Sequence, residues 1–195
     1  MTSPEKAAQN IKIGKWFFKN RDYTPIPLII ILLIWSDPTV FSATLGVLMV
    51  VLGELIRIYS VSFIGTVSRT RSDSLGQKLV DTGPFAIVRN PLYVGNFFVS
   101  VGFAVFSGKF WVIALTIILF AVQYYFVVKY EESNLTKVFG EAYHNYRSRV
   151  PAFVPRNLPA LQDIEWPAEY SHALKSEKNT LTTIFTLLGL LVIFS

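Results

Sequence analysis

Two groups of polar residues that could bind a ligand lie at the ends of apolar runs. The first is the stretch RNPLYVG, which starts at Arg89 and leads into such a run. Pro91 suits the first turn of a helix, where its missing N–H has no partner to lose, and Asn90 suits the N-cap position before it. The free amides of that turn favour an anion, and Arg89 can bind a carboxylate or phosphate through charge-assisted hydrogen bonds. Gly95 permits the close approach of a ligand or of a neighbouring helix.

The second group is the stretch KYEESNL, which contains the adjacent carboxylates of Glu131 and Glu132. Neighbouring side chains on a helix project about 100° apart, so these two cannot form one acid–base pair, and one can face a pocket while the other faces water. Gln123, Val127 and Glu131 fall on one stripe of the helix because they recur every fourth residue. If the apolar run before it enters a membrane, a carboxylate at this boundary would attract a cation such as an amine or a sulfonium.

Both groups also have a purely structural interpretation, which the residues alone leave open. Many membrane helices begin with a snorkelling arginine and an interfacial tyrosine, as Arg89 and Tyr93 would be. Glu131 could equally pair with Lys129 or with Arg89 simply to seal a helix end.

A further pair of charges, Glu54 and Arg57, lies three residues apart within an apolar run. Charges inside a membrane are functional candidates by default, but these two can neutralise each other on one helix face. We therefore interpret the pair as structural.

The composition places the chain in a membrane and excludes several classes of chemistry. Of its 195 residues, 52% are hydrophobic, and the mean hydropathy is +0.43. The absence of cysteine excludes disulfides, cysteine-bound metals and thiol nucleophiles, and the two histidines stand in no metal-binding motif, so no metal is expected. The net charge of +5 comes from basic residues beside apolar runs, which indicates membrane topology rather than nucleic acid. No phosphate-binding loop or Ser/His/Asp set supports a kinase or a hydrolase.

The apolar runs predict an all-α integral membrane protein with about five transmembrane helices. A helix needs about 17–25 residues to span a bilayer. The third and fourth runs are separated by a tight turn at Gly108 and Lys109, so we expect residues 91–128 to form an antiparallel helical hairpin. The five runs cover residues 24–36, 38–53 with an extension to about 65, 91–108, 110–128 and 179–195.

The basic residues predict the orientation of these helices. Lysines and arginines precede the first run and recur in the two long connections, residues 66–90 and 129–178, whereas the short turns SDPT and SGKF carry few charges. By the positive-inside rule the N-terminus and both long connections are cytoplasmic. The hairpin then brings RNPLYVG next to KYEESNL at the cytoplasmic face.

Several blocks in this order resemble the isoprenylcysteine carboxyl methyltransferase and phospholipid methyltransferase superfamily of integral membrane enzymes. The blocks are LVDTGPFAIVRNPLYVGNF, EESNL and FGEAYHNYRSRVPAFVP, and they cover about residues 78–155. The resemblance implies S-adenosylmethionine as the methyl donor, bound in a cytoplasmic C-terminal region, with Glu131 and Arg89 as the catalytic residues. It implies that the cofactor is contacted by Lys78, Val80, Gly83, Arg89, Asn90, Pro91, Leu92, Tyr93, Glu131 and Glu132.

Two departures from the family pattern bear on the acceptor, whose site we assign to Gln123 and Val127. Asn90 stands where the family often has histidine. Val127 stands where the carboxyl methyltransferases have an arginine associated with the substrate carboxylate. We therefore expect a lipophilic small-molecule acceptor with an amine, thiol or hydroxyl group as readily as a carboxylate. The alternatives are an NADPH-dependent enzyme similar to sterol reductases, and a non-catalytic membrane protein that keeps the fold.

The apolar runs and the resemblance together predict a division of the chain into three parts. Residues 1–65 would form an N-terminal cytoplasmic segment and the first two membrane helices, and residues 66–178 the catalytic region with the hairpin and a cytoplasmic connector. Residues 179–195 would form a C-terminal membrane helix. The expected partners are the lipid bilayer and the lipophilic substrate, without nucleic acid or metal, and the oligomeric state is left open.

Overall fold

A computed structural model describes residues 3–64, 79–157, 164–167 and 170–194, and within these ranges the chain is helical and has no strand. The all-α prediction is therefore confirmed for this part of the chain. The described ranges contain eight helices, α1 (Ser3–Asn20), α2 (Ile26–Trp35), α3 (Val40–Ile64), α4 (Pro84–Ile87), α5 (Pro91–Phe106), α6 (Phe110–Phe139), α7 (Glu141–Arg149) and α8 (Ser171–Phe194).

Three of these helices, α3, α6 and α8, are long and apolar enough to cross a membrane. Their length and composition identify an integral membrane protein. The apolar helices α2 and α5 have only 10 and 16 residues, which corresponds to about 15 and 24 Å, against a hydrocarbon core of about 30 Å. The count of five spans, the membrane hairpin and the orientation therefore stay predictions.

Helices α3 and α5 pack closely because glycines face each other at two levels. A Cβ atom added to Gly53 would lie 2.6 Å from the Gly95 carbonyl oxygen, and one added to Gly46 would lie 2.6 Å from the Gly102 carbonyl oxygen. The higher number on one helix pairs with the lower number on the other, so the two helices run antiparallel. Small residues allow this backbone contact between membrane helices, and the close neighbour expected at Gly95 is helix α3.

Helices α5 and α6 also contact each other along their length. The Phe97 and Phe120 ring centroids are 5.2 Å apart, and the Asn96 amide donates to the Tyr124 hydroxyl at 2.9 Å. The chain reverses between these helices at Gly108, whose φ of +70° is a conformation that favours glycine.

This reversal meets the connection between α2 and α3 at one end of the molecule, which we call the turn end (residues 36–39 and 107–109). The Asp37 amide donates to the Ser107 carbonyl at 3.0 Å. The Lys109 Nζ atom lies 2.7 Å from the Asp37 carboxylate. The short turns SDPT and SGKF, which are predicted to lie on the other side of the membrane from the two long connections, are therefore neighbours in the structure.

Helices α6 and α8 extend further than the apolar runs that mark them. Helix α6 continues through the EESNL stretch and ends at Phe139, where the next residue, Gly140, has a φ of +51°. Helix α8 begins at Ser171, before the apolar run at residue 179. Its Leu187 and Leu191 are buried in a core cluster with Leu32, Val50 and Phe103, which attaches the C-terminal helix to the rest.

Candidate functional site

The start of α5 is attached to the segment that follows α7. Pro91 is the first residue of α5 and Asn90 occupies the N-cap position, as predicted, but the Asn90 side chain makes no capping hydrogen bond. Its Nδ2 atom instead donates to the Ala152 carbonyl at 3.1 Å. The Arg89 and Asn90 backbone amides donate to the Pro151 and Ala152 carbonyls at 2.8 and 3.2 Å. Asn90 therefore joins two distant segments rather than capping its own helix.

The Arg89 guanidinium connects α6 to the C-terminal end of α7. Its Nη2 atom lies 2.7 Å from Glu132 Oε1, and both side chains are almost fully buried. Its Nη1 atom donates to the Val150 carbonyl and, at 3.2 Å, to the Arg147 carbonyl, both at the C-terminal end of α7. The Nε atom is buried and has no hydrogen-bond partner within the described residues.

Glu131 uses a different partner on a different helix. The Tyr93 hydroxyl of α5 donates to Glu131 Oε2 at 2.6 Å, and the Tyr93 ring lies 4.6 Å from that of Tyr124. Neither of the two adjacent carboxylates is left to water alone, because Glu131 binds Tyr93 and Glu132 binds Arg89. We call the region formed by Arg89, Tyr93, Glu131 and Glu132 the motif end.

Two tyrosines of α7 form a buried layer beside the ion pair. Tyr143 and Tyr146 cluster with Val150, and the Tyr146 hydroxyl donates to the Phe85 carbonyl at 2.7 Å. Burial raises the pKa of Tyr143 to about 12, and the Glu132 carboxylate adds to this rise. Burial likewise raises the pKa of Tyr146. Both hydroxyls therefore stay protonated at neutral pH and act as packed, neutral groups.

A cavity of about 450 Å³, within the size range of small-molecule sites, adjoins the segment after α7 that binds the start of α5, and none of the four residues of the motif end lines it. Among the described residues, Gly83 is the one predicted cofactor-contacting residue that lines it, and Pro151, which accepts the Arg89 amide, lines it too. Glu165 closes one side, because its carboxylate accepts the Gly83 N–H at 2.8 Å and its carbonyl accepts the Tyr59 hydroxyl at 2.6 Å.

Sequence reasoning did not single out several residues of this cavity. Arg149 and Arg156 line it. Arg149 lies within the quoted stretch FGEAYHNYRSRVPAFVP and Arg156 directly follows it, so their basic character was the available indication. Tyr59 and Glu165 carried no such indication, because one lies in an apolar helix and the other in the proline-rich connector.

The remaining predicted residues lie at varying distances from this region. Lys78 lies outside the described residues. Val80 and Leu92 are half-buried, before α4 and in the first turn of α5. Val127 is almost completely buried on α6, and Gln123 lies on the same helix about 12 Å from Glu131 along the axis. The motif end thus unites the predicted cofactor residues better than the predicted acceptor residues. No group of three or more potential metal ligands occurs within the described ranges.

Comparison with known proteins gives one family and several relatives. The sequence model of the phospholipid methyltransferase family matches residues 41–142, a range that contains Arg89, Tyr93, Glu131 and Glu132. The nickel-cobalt-cadmium resistance protein NccN of Alcaligenes xylosoxydans xylosoxydans is 32% identical over 124 residues, which are 63% of this chain and 54% of that protein.

Two further relatives carry different descriptions. The cobalt-zinc-cadmium resistance protein CzcN of Cupriavidus metallidurans is 29% identical over 159 residues, 82% of this chain and 67% of that protein. A protein-S-isoprenylcysteine O-methyltransferase of Mus musculus is 35% identical over 124 residues, 60% of this chain and 42% of that protein. The chain thus matches between 42% and 67% of the length of these three relatives.

Proposed function

The chain belongs to the phospholipid methyltransferase family, and we propose on this premise that it transfers a methyl group from S-adenosylmethionine to a lipid-like or other amphiphilic acceptor at the cytoplasmic membrane face. The observation that supports this most is the meeting of two motifs that are far apart in the sequence. Tyr93 of the RNPLYVG stretch donates to Glu131 of the KYEESNL stretch, and Arg89 pairs with Glu132.

The charges at the motif end suit the charges of the proposed donor. S-adenosylmethionine carries a sulfonium and an ammonium, which favour a nearby carboxylate, and a carboxylate, which favours N–H groups. Tyr93 donates one hydrogen bond to Glu131, whereas an ionised carboxylate can accept about four. We propose that Glu131 faces the positive part of the donor.

The negative part of the donor has two possible sets of partners on this chain. The Nε atom of Arg89 has no hydrogen-bond partner within the described residues. Arg149 and Arg156 line the cavity. Since both Nη atoms of Arg89 bind Glu132 and the end of α7, we propose that Arg89 mainly holds the motif end in shape and offers Nε to the donor.

The chemistry requires mainly alignment of the donor and the acceptor. Methyl transfer would break the bond between the donor sulfur and its methyl group, release the donor as a neutral thioether, and form the bond to the acceptor atom. An amine, thiol or hydroxyl acceptor would give up its proton to solvent. The donor supplies an electrophilic methyl group on its sulfonium. The chain has to hold that group in line with the acceptor atom and keep water away, and both effects lower the barrier. The apolar surfaces of α5 and α6 fit this role, and the acceptor would enter between helices from the bilayer.

The residues assigned to the acceptor favour a head group other than a carboxylate. Val127 is buried and apolar, so no cation at that position is available to bind a carboxylate. We therefore propose that the acceptor group is an amine, a thiol or a hydroxyl. The names NccN and CzcN refer to metal resistance, and we carry over no metal-binding role because no group of metal ligands occurs in the described ranges.

The test uses the full chain purified in detergent. S-adenosylmethionine is expected to raise the melting temperature saturably, because a ligand that binds only the folded state stabilises it, and NADPH is expected to have no effect. Labelled methyl transfer into a total lipid extract then identifies the product. Stabilisation by NADPH instead would support the reductase alternative, and stabilisation by neither ligand would support the non-catalytic one.

A further inference from the structure

A cluster of polar side chains connects three helices within the apolar part of the molecule. The predicted ion pair forms on α3, where Arg57 Nε lies 3.1 Å from Glu54 Oε2. The Arg57 Nη2 atom also binds the Glu177 carboxylate and, at 3.2 Å, the Thr180 hydroxyl of α8. Its Nη1 atom donates to Asn96 Oδ1 of α5. The pair is therefore part of a larger network than the sequence indicated.

The contact with Asn96 sets the direction of the hydrogen bonds that follow. Because Asn96 Oδ1 accepts from Arg57, its Nδ2 atom is turned toward α6 and donates to the Tyr124 hydroxyl at 2.9 Å. The Tyr124 ring packs against the Tyr93 ring with centroids 4.6 Å apart. Tyr93 in turn donates to Glu131 at 2.6 Å. A continuous path of contacts thus leads from Arg57 to the motif end.

Charge neutralisation alone does not account for this arrangement. Arg57 contacts two carboxylates, Glu54 and Glu177, so its charge is compensated without Asn96. The third arm of the guanidinium binds a neutral amide, and that arm is the one that leads to Glu131. In a low dielectric such a bond strongly fixes the orientation of its partner, and the rigid fork of arginine suits it to hold three helices at once.

We propose that Arg57 is a positioning residue for Glu131, acting through Asn96, Tyr124 and Tyr93, and that Glu177 of α8 holds Arg57 in place. This inference rests on the proposed function, which assigns Glu131 to the methyl donor. It gives the C-terminal helix a part in donor binding, although that helix contributes none of the predicted cofactor residues. It also gives the Tyr93 hydroxyl a defined direction, because the Tyr124 ring fixes the plane of the Tyr93 ring.

The test is a double-mutant cycle on the affinity for S-adenosylmethionine, measured with the full chain in detergent. Asn96→Leu removes the link to Tyr124 but leaves Arg57 with both carboxylates. We expect it to weaken donor binding at least threefold. The double variant Asn96→Leu/Glu131→Gln should bind no more weakly than Glu131→Gln alone, because the first substitution acts only through Glu131. Two independent losses that multiply in the double variant would overturn the inference.

Further variants along the path are expected to weaken donor binding by different amounts. Arg57→Met should weaken donor binding more than Asn96→Leu does, and Arg57→Lys should recover part of the loss because one donor to Asn96 returns. Tyr124→Phe keeps the ring contact and loses only the hydroxyl, so it should have the smallest effect. If Arg57→Met does not fold, Asn96→Leu and Tyr124→Phe still decide the question, and wild-type affinity in both would overturn the inference.

A matched control separates positioning from loss of stability. Val50→Ala lies on α3, as Arg57 does, and opens a space in the core cluster around Leu187 and Leu191. It should lower the melting temperature and leave the donor affinity unchanged in both the wild-type and the Glu131→Gln backgrounds. Failure of the wild-type protein to bind the donor would instead overturn the proposed function itself. That outcome is distinct from additive losses in a protein that binds.

Discussion

The two ends of the molecule each contain an ion pair with the same separation, and their surroundings differ. At the turn end, Lys109 and Asp37 are 2.7 Å apart, and the side chains are 34% and 79% exposed. At the motif end, Arg89 and Glu132 are also 2.7 Å apart, but the side chains are 11% and 10% exposed. Exposed pairs contribute little to stability, whereas a buried charge that loses its partner is costly. Distance alone therefore does not tell which pair matters.

The two ion pairs also differ in the number of polar groups around them. Lys109 and Asp37 close one contact between two short turns. The pair of Arg89 and Glu132 has further polar neighbours. Arg89 donates to carbonyls at the end of α7, the Arg147 guanidinium lies 3.7 Å from Glu132, and the buried tyrosines of α7 lie beside the pair. The motif end thus concentrates buried polar groups at one place, where a ligand with charges of both signs could be bound.

The largest expected effect comes from breaking the buried pair. Arg89→Ala leaves the Glu132 carboxylate and the end of α7 without their main donor, so we expect a loss of about 3–5 kcal/mol in the free energy of unfolding. Lys109→Ala serves as the control at the turn end and should change it little. Unfolding in mixed detergent measures both. Equal losses for the two variants would contradict the difference drawn between the ends.

A smaller loss of stability is expected from the glycine contacts between α3 and α5, which occur at two levels of these helices. Gly53→Ala and Gly46→Ala each place a Cβ atom 2.6 Å from a backbone carbonyl oxygen, so each should destabilise the protein by about 1–3 kcal/mol. Gly189→Ala on α8 is the matched control, because nothing lies within 4 Å of its added Cβ atom. A loss for Gly189→Ala as large as the others would contradict the packing explanation, because alanine favours a helix more than glycine does.

The smallest effect is expected at the exposed pair, and it depends on pH. The Lys109 ammonium, through its hydrogen bond and its charge, lowers the pKa of the Asp37 carboxyl from its ordinary 3.8. The folded state then holds Asp37 ionised more strongly than the unfolded state does, so this contribution is present at neutral pH and is lost as the pH falls through the lowered pKa. Asp37→Asn should match the wild-type melting temperature at low pH and fall slightly below it at pH 7. A difference that grows on acidification would contradict the assignment.

Local chemistry predicted the places where helices begin and reverse. Pro91 starts α5, and Gly108 makes the turn before α6. Each depends on a backbone preference of the residue itself. The two motifs were expected to meet because two consecutive helices joined by a short turn bring their far ends together, and the contact of Tyr93 with Glu131 has that geometry.

The choice of partners could not be predicted, because it depends on how the helices are rotated about their axes. The sequence left open whether Glu131 pairs with Lys129 or Arg89, and in the structure Arg89 selects Glu132 instead. The Asn90 side chain was expected to cap α5, but Ala152 offers a carbonyl from a distant segment. Arg57 was paired with its helical neighbour Glu54, and no local pattern indicated Glu177 on α8.

The central claim, that the motif end binds a methyl donor through Glu131, is tested most directly by the S-adenosylmethionine affinity of Glu131→Gln. Glu141→Gln, an exposed carboxylate at the start of α7, is the control of matched chemistry. A hydrogen bond to a charged group contributes about 1.5–3 kcal/mol, so Glu131→Gln should weaken binding by about tenfold or more while Glu141→Gln binds as the wild type does. Wild-type affinity in Glu131→Gln would contradict the claim.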